Sequence, residues 1–207
     1  MGRIVELEHP LISHHLAILR EKSTPPFLFR DQIRRLSLML GCEATSDLPL
    51  IDCEIETPLE KAVCRKLGCR LGLVPILRAG LGMCDPMQEL LPESEVWHLG
   101  FYRDETTHLP VEYYQKFSKS PPPIAFVLDP MLATGGSACE GISMVKKWGV
   151  QTIFLLCIIA APEGIEKVSK AHPDADIFCC AIDSHLNENA YIVPGLGDAG
   201  DRIFNTL

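Results

Sequence analysis

Three features of this chain predict an α/β fold with a mostly parallel central sheet. From residue 70 onward, short apolar runs alternate with helical patterns, the order that builds a parallel sheet with helices on both faces. Several of those runs end in glycine-rich or acid-bearing turns, and in such sheets ligands sit beyond the carboxyl ends of the strands. The 207 residues, 47% hydrophobic and 22% charged, have the composition of one globular domain. A chain of this size hides roughly 70% of its unfolded surface on folding.

The elements follow in order. His9-Pro10, then Leu11, Ile12, His15, Leu16 and Leu19, have helical spacing, with proline tolerated in the first turn. Phe27 to Leu40 reads as a second helix, so residues 1–45 are expected as a helical N-terminal arm of a single domain spanning 1–207. Leu71–Leu77 is a buried-strand run, followed by Arg78-Ala79-Gly80-Leu81-Gly82 and a helix to about Leu91. Val96–Phe101 is a second strand. Ile124–Leu128 is a third, followed by Asp129 to Ser137 and a helix ending near Trp148-Gly149. Thr152–Ala160 is a fourth strand, Pro162–His172 a helix and Ile177–Ile182 a fifth strand. Between the second and third strands lie some twenty residues with little regular pattern, and a loop that long in a compact domain is usually a lid or a binding element.

Composition excludes several function classes. The net charge of -8 makes duplex nucleic acid a poor partner, since phosphate binding needs a basic face. Small anionic ligands stay open, because local charges decide a pocket. The longest apolar run, Ile153 to Ala161, is about half a bilayer span, so no membrane partner is expected. Glu6 and Glu8 interrupt the start of the chain, so no secretory signal is expected, and Glu6 stands where a myristoylation signal wants Ser or Thr. The nine cysteines then read as reduced, mostly buried thiols of a cytoplasmic protein. They show no C-x-x-C pair or zinc spacing. Cys179-Cys180 read as one small hydrophobe on each face of a strand, His14-His15 as surface or packing residues, and Trp97 and Trp148 as core.

The strongest local signal is Val127-Leu128-Asp129-Pro130-Met131-Leu132-Ala133-Thr134-Gly135-Gly136-Ser137. An apolar strand ends in an acid, and five residues later Thr-Gly-Gly-Ser opens a helix. Gly135 and Gly136 let the backbone turn sharply and bring N–H groups close to a ligand. The helix start presents unpaired donors and about half a positive charge. With the hydroxyls of Thr134 and Ser137 these make a cradle for a phosphate dianion. Asp129, acceptor-only when ionised, suits a pair of sugar hydroxyls. An N-capping turn with Asp129 as a turn former is the plainer alternative; the full strand–Asp–loop–Thr-Gly-Gly-Ser–helix order favours the cradle.

This segment resembles the 5-phosphoribosyl 1-diphosphate (PRPP) loop of type I phosphoribosyltransferases, in the Asp-Pro-Met-Leu-Ala-Thr-Gly-Gly form found in uracil phosphoribosyltransferases. Most of that superfamily has two adjacent acids where this chain has Asp129-Pro130. Three more segments are similar to the same family: Val74 to Met83, Tyr102-Arg103-Asp104-Glu105, and Tyr191 to Arg202. Ala160-Ala161-Pro162-Glu163-Gly164 and Glu43-Ala44-Thr45 also fit, so the resemblance covers nearly the whole chain. Cys42 stands where an aromatic is common, and Asn205-Thr206-Leu207 where Gly-Thr-Lys is frequent. The resemblance implies the type I phosphoribosyltransferase fold, with a central five-stranded sheet, a β-hairpin flap over 104–122 and a base-binding hood over 183–207.

It also implies roles. PRPP would be held by Asp129 through Ser137, by Arg78 and Arg103, and by Asp198 on the ribose or diphosphate–metal side. Arg78, Arg103 and Asp198 are the catalytic set. Arg78 follows an apolar strand in a turn where Ala79-Gly80 and Gly82 clear space beside it, and a guanidinium there can grip diphosphate oxygens in bidentate fashion. Arg103 begins the flap and would close over the diphosphate. Uracil would be read by backbone groups of Ile192, Gly197 and Ala199, beside Asp198, with Tyr191-Ile192 walling the base. Cytosine would set an amino group against a buried N–H, a mismatch of about 1–3 kcal/mol. Asp183, Asp201 and Arg202 are expected to form ion pairs bracing this loop. Mg²⁺ is the implied cofactor, held mainly by PRPP and water with no dedicated protein ligands. The implied partners are uracil, PRPP and further copies of the chain, in a homodimer or higher homo-oligomer to which the first forty residues contribute. Some relatives are activated by GTP. The implied reaction gives UMP and diphosphate. The alternatives are a non-catalytic regulatory relative that binds PRPP or a uracil nucleotide, and a transferase acting on a purine or orotate.

Overall fold

The strands and helices occur in the order β1 (Ile4–Glu6), α1 (Pro10–Arg20), α2 (Pro26–Ala44), β2 (Leu50–Glu56), β3 (Lys61–Leu67), β4 (Leu71–Leu77), α3 (Leu81–Leu90), β5 (Glu95–Val96), β6 (Leu99–Arg103), β7 (Pro110–Gln115), β8 (Ile124–Leu128), β9 (Met131–Leu132), α4 (Gly136–Trp148), β10 (Thr152–Ala160), α5 (Pro162–Ala171), β11 (Asp176–Ile182), β12 (His185–Leu186), β13 (Ile192–Val193) and α6 (Ala199–Phe204). This computed structural model describes residues 2–103, 110–115 and 117–206, without the side chains of 102–103, 110–113 and 115.

The central sheet runs β1-β11-β10-β8-β4-β6-β7, with β5 on β4 and β9 on β10. Every pairing is parallel except β6 with β7, where Leu99–Arg103 lies antiparallel to Pro110–Gln115. Four of the five expected strands are present in this sheet as read, and the expectation of one strand over Val96–Phe101 is corrected to two, Glu95–Val96 and Leu99–Arg103, which pair with β4 on either side of Trp97-His98. Two edges extend it: β1, whose Ile4 sits opposite Ile177, and β7, the return strand of the expected flap. Residues 104–109 of the expected flap lie outside the described residues.

Period-two alternation along the strands sorts their side chains into two cores. On one face Leu71, Leu73, Phe126, Leu128, Leu156, Ile158, Phe178 and Cys180 pack with Leu19, Phe29, Ile33, Leu36, Met83 and Ile203 of α1, α2, α3 and α6. On the other Val74, Ile76, Val127, Leu155, Cys157, Ile177 and Cys179 pack with Ile142 and Val145 of α4 and Val168 of α5. Cys179 and Cys180 thus take opposite faces as small hydrophobes, and burial pushes the Cys179 thiol up to about 12. Helices α1 and α2 are part of the first core, since Leu19, Phe29, Ile33, Leu36 and Leu40 are fully buried.

Trp97 and Trp148 meet edge to face at 5.4 Å, Phe117 stacks on Trp148 at 4.4 Å, and the Trp148 indole N–H donates to the Ser118 carbonyl at 2.7 Å. This aromatic cluster fixes the point where the chain returns from the flap. The hairpin β2–β3 stands apart as its own two-stranded sheet. Its register sets Asp52 against Arg65 and Glu56 against Lys61, and Leu59 at its turn is 95% exposed. The sequence reading missed this hairpin, although Ile51, Cys53 and Ile55 alternate with Asp52, Glu54 and Glu56 as a strand with one polar face does.

Candidate active site

Strands β4 and β8 lie side by side with Pro75 opposite Leu128, so the turns that follow them leave the sheet at the same edge. They touch. A Cβ on Gly80 would stand 2.4 Å from the Leu128 carbonyl oxygen and 2.7 Å from Ile76 backbone atoms, so only glycine lets the Arg78 turn fold onto the end of β8. The role expected of Gly80 and Gly82, clearing space beside Arg78, is corrected here: Gly80 admits a neighbouring strand, and Gly82 faces Ile203 and Ile33. The Leu77-Arg78 peptide is cis.

The Asp129–Ser137 loop is built on the sheet edge. The Pro130 carbonyl accepts from the amides of Ile158 and Ile159 at 3.0 and 3.1 Å, and Met131-Leu132 pairs with Ile159-Ala160. The Asp129 carboxylate accepts from the Met131 amide at 3.3 Å. Desolvation outweighs that bond and pushes the Asp129 carboxyl up to about 7. Gly135 adopts φ +73° as the N-cap of α4, and Gly136 and Ser137 are the helix's first residues. Among the described residues, no acceptor faces the amides of Gly136 and Ser137 or the hydroxyls of Thr134 and Ser137. A helix start with free donors, approached by two small residues and two hydroxyls, is an anion cradle.

Helix α5 holds this loop from behind. A Cβ on Gly164 would stand 2.3 Å from the Ala133 carbonyl oxygen, and one on Gly135 2.9 Å from the Gly164 carbonyl oxygen. The neighbouring Glu163 reaches the other way and accepts from the Leu186 amide at 3.0 Å, a bond that holds its carboxyl below the usual range. Glu163 and Gly164 thus bracket the cradle and the C-terminal segment together, a role the sequence reading missed. The signal was Pro162 at the helix start, acid in the first turn and glycine next, directly after a strand.

The C-terminal segment folds over the same edge. Ile192-Val193 pairs antiparallel with His185-Leu186; Ile192 is buried and Tyr191 half exposed. Gly195 and Gly197 take φ of +63° and +81°, and the Val193-Pro194 peptide is cis. Asp198 caps α6 by accepting from the Asp201 amide at 3.0 Å, and its other carboxylate oxygen has no partner among the described residues. Arg78 Nη2 donates to Asp201 at 3.0 Å, while the guanidinium stays 55% exposed. A Cβ on Gly200 would lie within 4 Å of both Arg78 Nη2 and Asp198 Oδ1, which puts those two side chains at one spot.

The structure therefore brings Arg78 and Asp198 together beside Gly200, and sets the Asp129–Ser137 loop at the same carboxyl edge of the sheet. Arg103 ends β6, which runs beside β4 with Gly100 opposite Leu77; its side chain lies outside the described residues. Of the residues expected at the base, Ile192 and Ala199 turn their side chains into the core and Gly197 is exposed. Of the residues expected to brace that loop by ion pairs, Asp183 and Asp201 do so, through Arg20 and Arg78. Arg202 corrects the expectation, since its guanidinium is spent on the carbonyls of Leu19, Leu196 and Glu21 and on the Phe29 ring. A cavity of about 530 Å³ lined by Leu67, Arg70, Leu71 and Pro92 lies at the opposite, amino end of β4.

A family model for uracil phosphoribosyltransferase matches residues 5–206. Proteins named uracil phosphoribosyltransferase from Symbiobacterium thermophilum and Agathobacter rectalis are 51% and 52% identical, with the whole of each chain covered. The AQ2163 protein of Aquifex aeolicus superposes with a TM-score of 0.92 at 35% identity, over 97% of each chain. The purine phosphoribosyltransferase of Pyrococcus horikoshii shares the fold, with a TM-score of 0.50 at 16% identity over 74% of this chain and 87% of its own. Agreement over the full length, on a sheet edge that gathers the Asp129–Ser137 loop and the C-terminal loop, places this chain in the uracil phosphoribosyltransferase family.

Proposed function

We propose that the protein transfers the 5-phosphoribosyl group of PRPP to N1 of uracil, giving UMP and diphosphate. The observation that carries this reading is the convergence of Arg78 and Asp198 beside Gly200, on the edge that also holds the free amides of Gly136 and Ser137. Family membership supports the choice of uracil.

The Thr134–Ser137 turn anchors the 5′-phosphate, and Asp129 accepts from the ribose hydroxyls. The C1′–O bond to diphosphate weakens before N1 of uracil bonds to C1′, so positive charge grows on the ribose and negative charge on the leaving group. Arg78, and Arg103 from the flap, hold that departing charge. Arg78 is pre-aimed by Asp201, a surface pair weak enough to be exchanged for a diphosphate oxygen. The amides of Gly197 and Ala199 and the carbonyl of Ile192 point N1 at C1′, and the N1 proton leaves to solvent or diphosphate. No covalent nucleophile takes part. The acceleration comes from positioning and from charges fixed in advance.

The residues present fit Mg²⁺ bound mainly through substrate. Among the described residues no three His, Cys, Asp or Glu side chains converge, and the free oxygen of Asp198 offers the single carboxylate that Mg²⁺ commonly takes beside phosphates. When bound, the ion neutralises charge on the diphosphate.

We further propose a homodimer or higher homo-oligomer, in keeping with the large apolar side chains left exposed at Leu11, Phe27, Leu59 and Val63, and a reducing, cytoplasmic setting suited to nine unbridged cysteines. No helix among the described residues is long and apolar enough to cross a membrane. Incubation with PRPP, Mg²⁺ and each of uracil, cytosine, orotate and hypoxanthine tests the central reading. UMP from uracil alone is expected; a nucleotide from another base at equal rate, or none from uracil, refutes it. Light scattering tests the assembly, and a monomer at micromolar concentration would contradict it.

A further inference from the structure

Arg20 is the last residue of α1, far along the chain from the C-terminal loop, yet both polar backbone groups of Gly195 end on it or on its partner. Arg20 holds Asp183 in bidentate fashion, at 2.6 and 2.8 Å, and the same Nη1 donates to the Gly195 carbonyl at 2.8 Å. The Gly195 amide in turn donates to Asp183 at 2.9 Å. The ring of bonds is closed: amide to carboxylate to guanidinium to carbonyl. Asp183 is 4% exposed and Arg20 23%, so water competes little for these bonds. Asp183 is itself fixed at the sheet edge, its amide donating to the Ala160 carbonyl at 2.8 Å.

Gly195 admits no other residue, because at φ +63° a Cβ would stand 2.1 Å from the Ile192 carbonyl oxygen. The next residue, Leu196, is tied to the same helix end, since Arg202 Nη1 bridges the Leu196 carbonyl at 2.7 Å and the Leu19 carbonyl at 2.8 Å. Ile192 precedes this clamped pair, and Gly197 and Ala199 follow it. The backbone groups assigned to the base therefore hang from a point set by α1.

We propose that Arg20, with Asp183, is a specificity-determining positioning residue: it touches no substrate, and it sets the orientation of the Gly195 peptides so that the amides of Gly197 and Ala199 meet the pyrimidine edge. This rests on the reading that the 192–199 loop holds uracil. The phosphate cradle is held by other contacts, the pairing of Met131-Leu132 with Ile159-Ala160 and the packing of Gly164 on the Ala133 carbonyl, so loosening the ring leaves it in place. The cost should therefore fall on uracil and spare PRPP.

Steady-state kinetics with uracil and PRPP varied separately provide the test. Arg20→Ala should raise KM for uracil by about tenfold or more, the worth of one or two lost hydrogen bonds, and change KM for PRPP by less than about twofold. Guanidinium ion at millimolar concentration should restore part of the uracil KM in Arg20→Ala. Arg20→Lys, which keeps the charge and the bulk but cannot span both carboxylate oxygens and the carbonyl, should lie between. Ala199→Pro tests the underlying reading separately. It removes one amide donor at a helix start where proline is well tolerated, after Asp198 in an extended conformation proline accepts. If Ala199→Pro raises the uracil KM and both Arg20 variants leave it at the parent value, the clamp is refuted and the loop reading stands. If Ala199→Pro leaves the uracil KM unchanged, the loop reading fails and the clamp with it. If Arg20→Lys raises both KM values alike, or guanidinium rescues nothing, Arg20 is structural only and the proposal is overturned.

Discussion

The proposed phosphate cradle and the C-terminal loop stand at the same edge of the sheet, but they are held in opposite ways. The cradle is local: Asp129 through Ser137 is one continuous segment, its shape set by glycine at 135, a strand pairing two residues long and the backbone of α5 pressed against it. The loop is remote: Gly195, Leu196 and Asp201 are held by guanidiniums, two of them from Arg20 and Arg78 more than a hundred residues away. A device held by backbone packing tolerates side-chain change elsewhere and fails when its own backbone, or the α5 backbone against it, is disturbed. A remote one depends on side chains that no reading of its own segment reveals.

The largest effect should come from charge that both regions share. Arg103→Ala is expected to lower turnover by about 100-fold or more, the scale of losing one donor to a departing anion, while ribose 5-phosphate still binds the cradle. UMP formation equal to the parent's would remove Arg103 from the mechanism.

Gly164→Ala separates the regions more sharply. The new methyl group would press on the Ala133 carbonyl, a backbone atom that cannot swing aside. A cradle displaced by about 1 Å should raise KM for PRPP by roughly 100-fold. Uracil should lose much less. Equal losses for both substrates would show that the two regions are one cooperative unit.

Asp129 adds a dependence on pH to the cradle. Its carboxyl sits near 7, and only the ionised form accepts two ribose hydroxyls. KM for PRPP should therefore rise by about fivefold to tenfold between pH 8 and pH 6, and Asp129→Asn should bind PRPP weakly with no such slope. The same shift bears on stability. A folded pKa raised above the unfolded 3.8 means that the folded chain holds an extra proton between about pH 4 and 7, so this group lowers stability as pH rises through that window. Asp129→Asn should therefore be more stable than the parent at pH 8, by about 2–4 kcal/mol, with the gain gone near pH 4. Thermal unfolding at the two pH values checks the sign.

The smallest effect belongs to Asp201→Asn. Its pair with Arg78 is exposed, so stability should change by less than about 1 kcal/mol and KM for PRPP by a few-fold at most. A large loss would mean that Arg78 needs Asp201 to stay aimed.

The contrast also explains what the sequence made legible. Four of the five strands and the Asp129–Ser137 turn are visible because short-range pattern specifies them: Ile124–Leu128 is uniformly apolar, and Thr134 to Ser137 carries its own turn chemistry. Edge strand β1 is three residues long and has no period to read, whereas β2 does alternate, Ile51, Cys53 and Ile55 against Asp52, Glu54 and Glu56, a signal the sequence reading missed. Asp183 and Asp201 were recognisable as bracing residues, but their partners Arg20 and Arg78 were not, since an ion pair across 163 or 123 positions leaves no local mark. Gly164 was visible only as part of a motif; its role follows from a carbonyl contributed by a different loop.

The most direct measurement of the central claim, one ligand spanning both regions, is amide hydrogen exchange with and without UMP. UMP should slow exchange at Gly136–Ser137 and also at Gly197 and Ala199, whereas ribose 5-phosphate should slow only the first pair. Protection by UMP confined to either region alone would contradict the account.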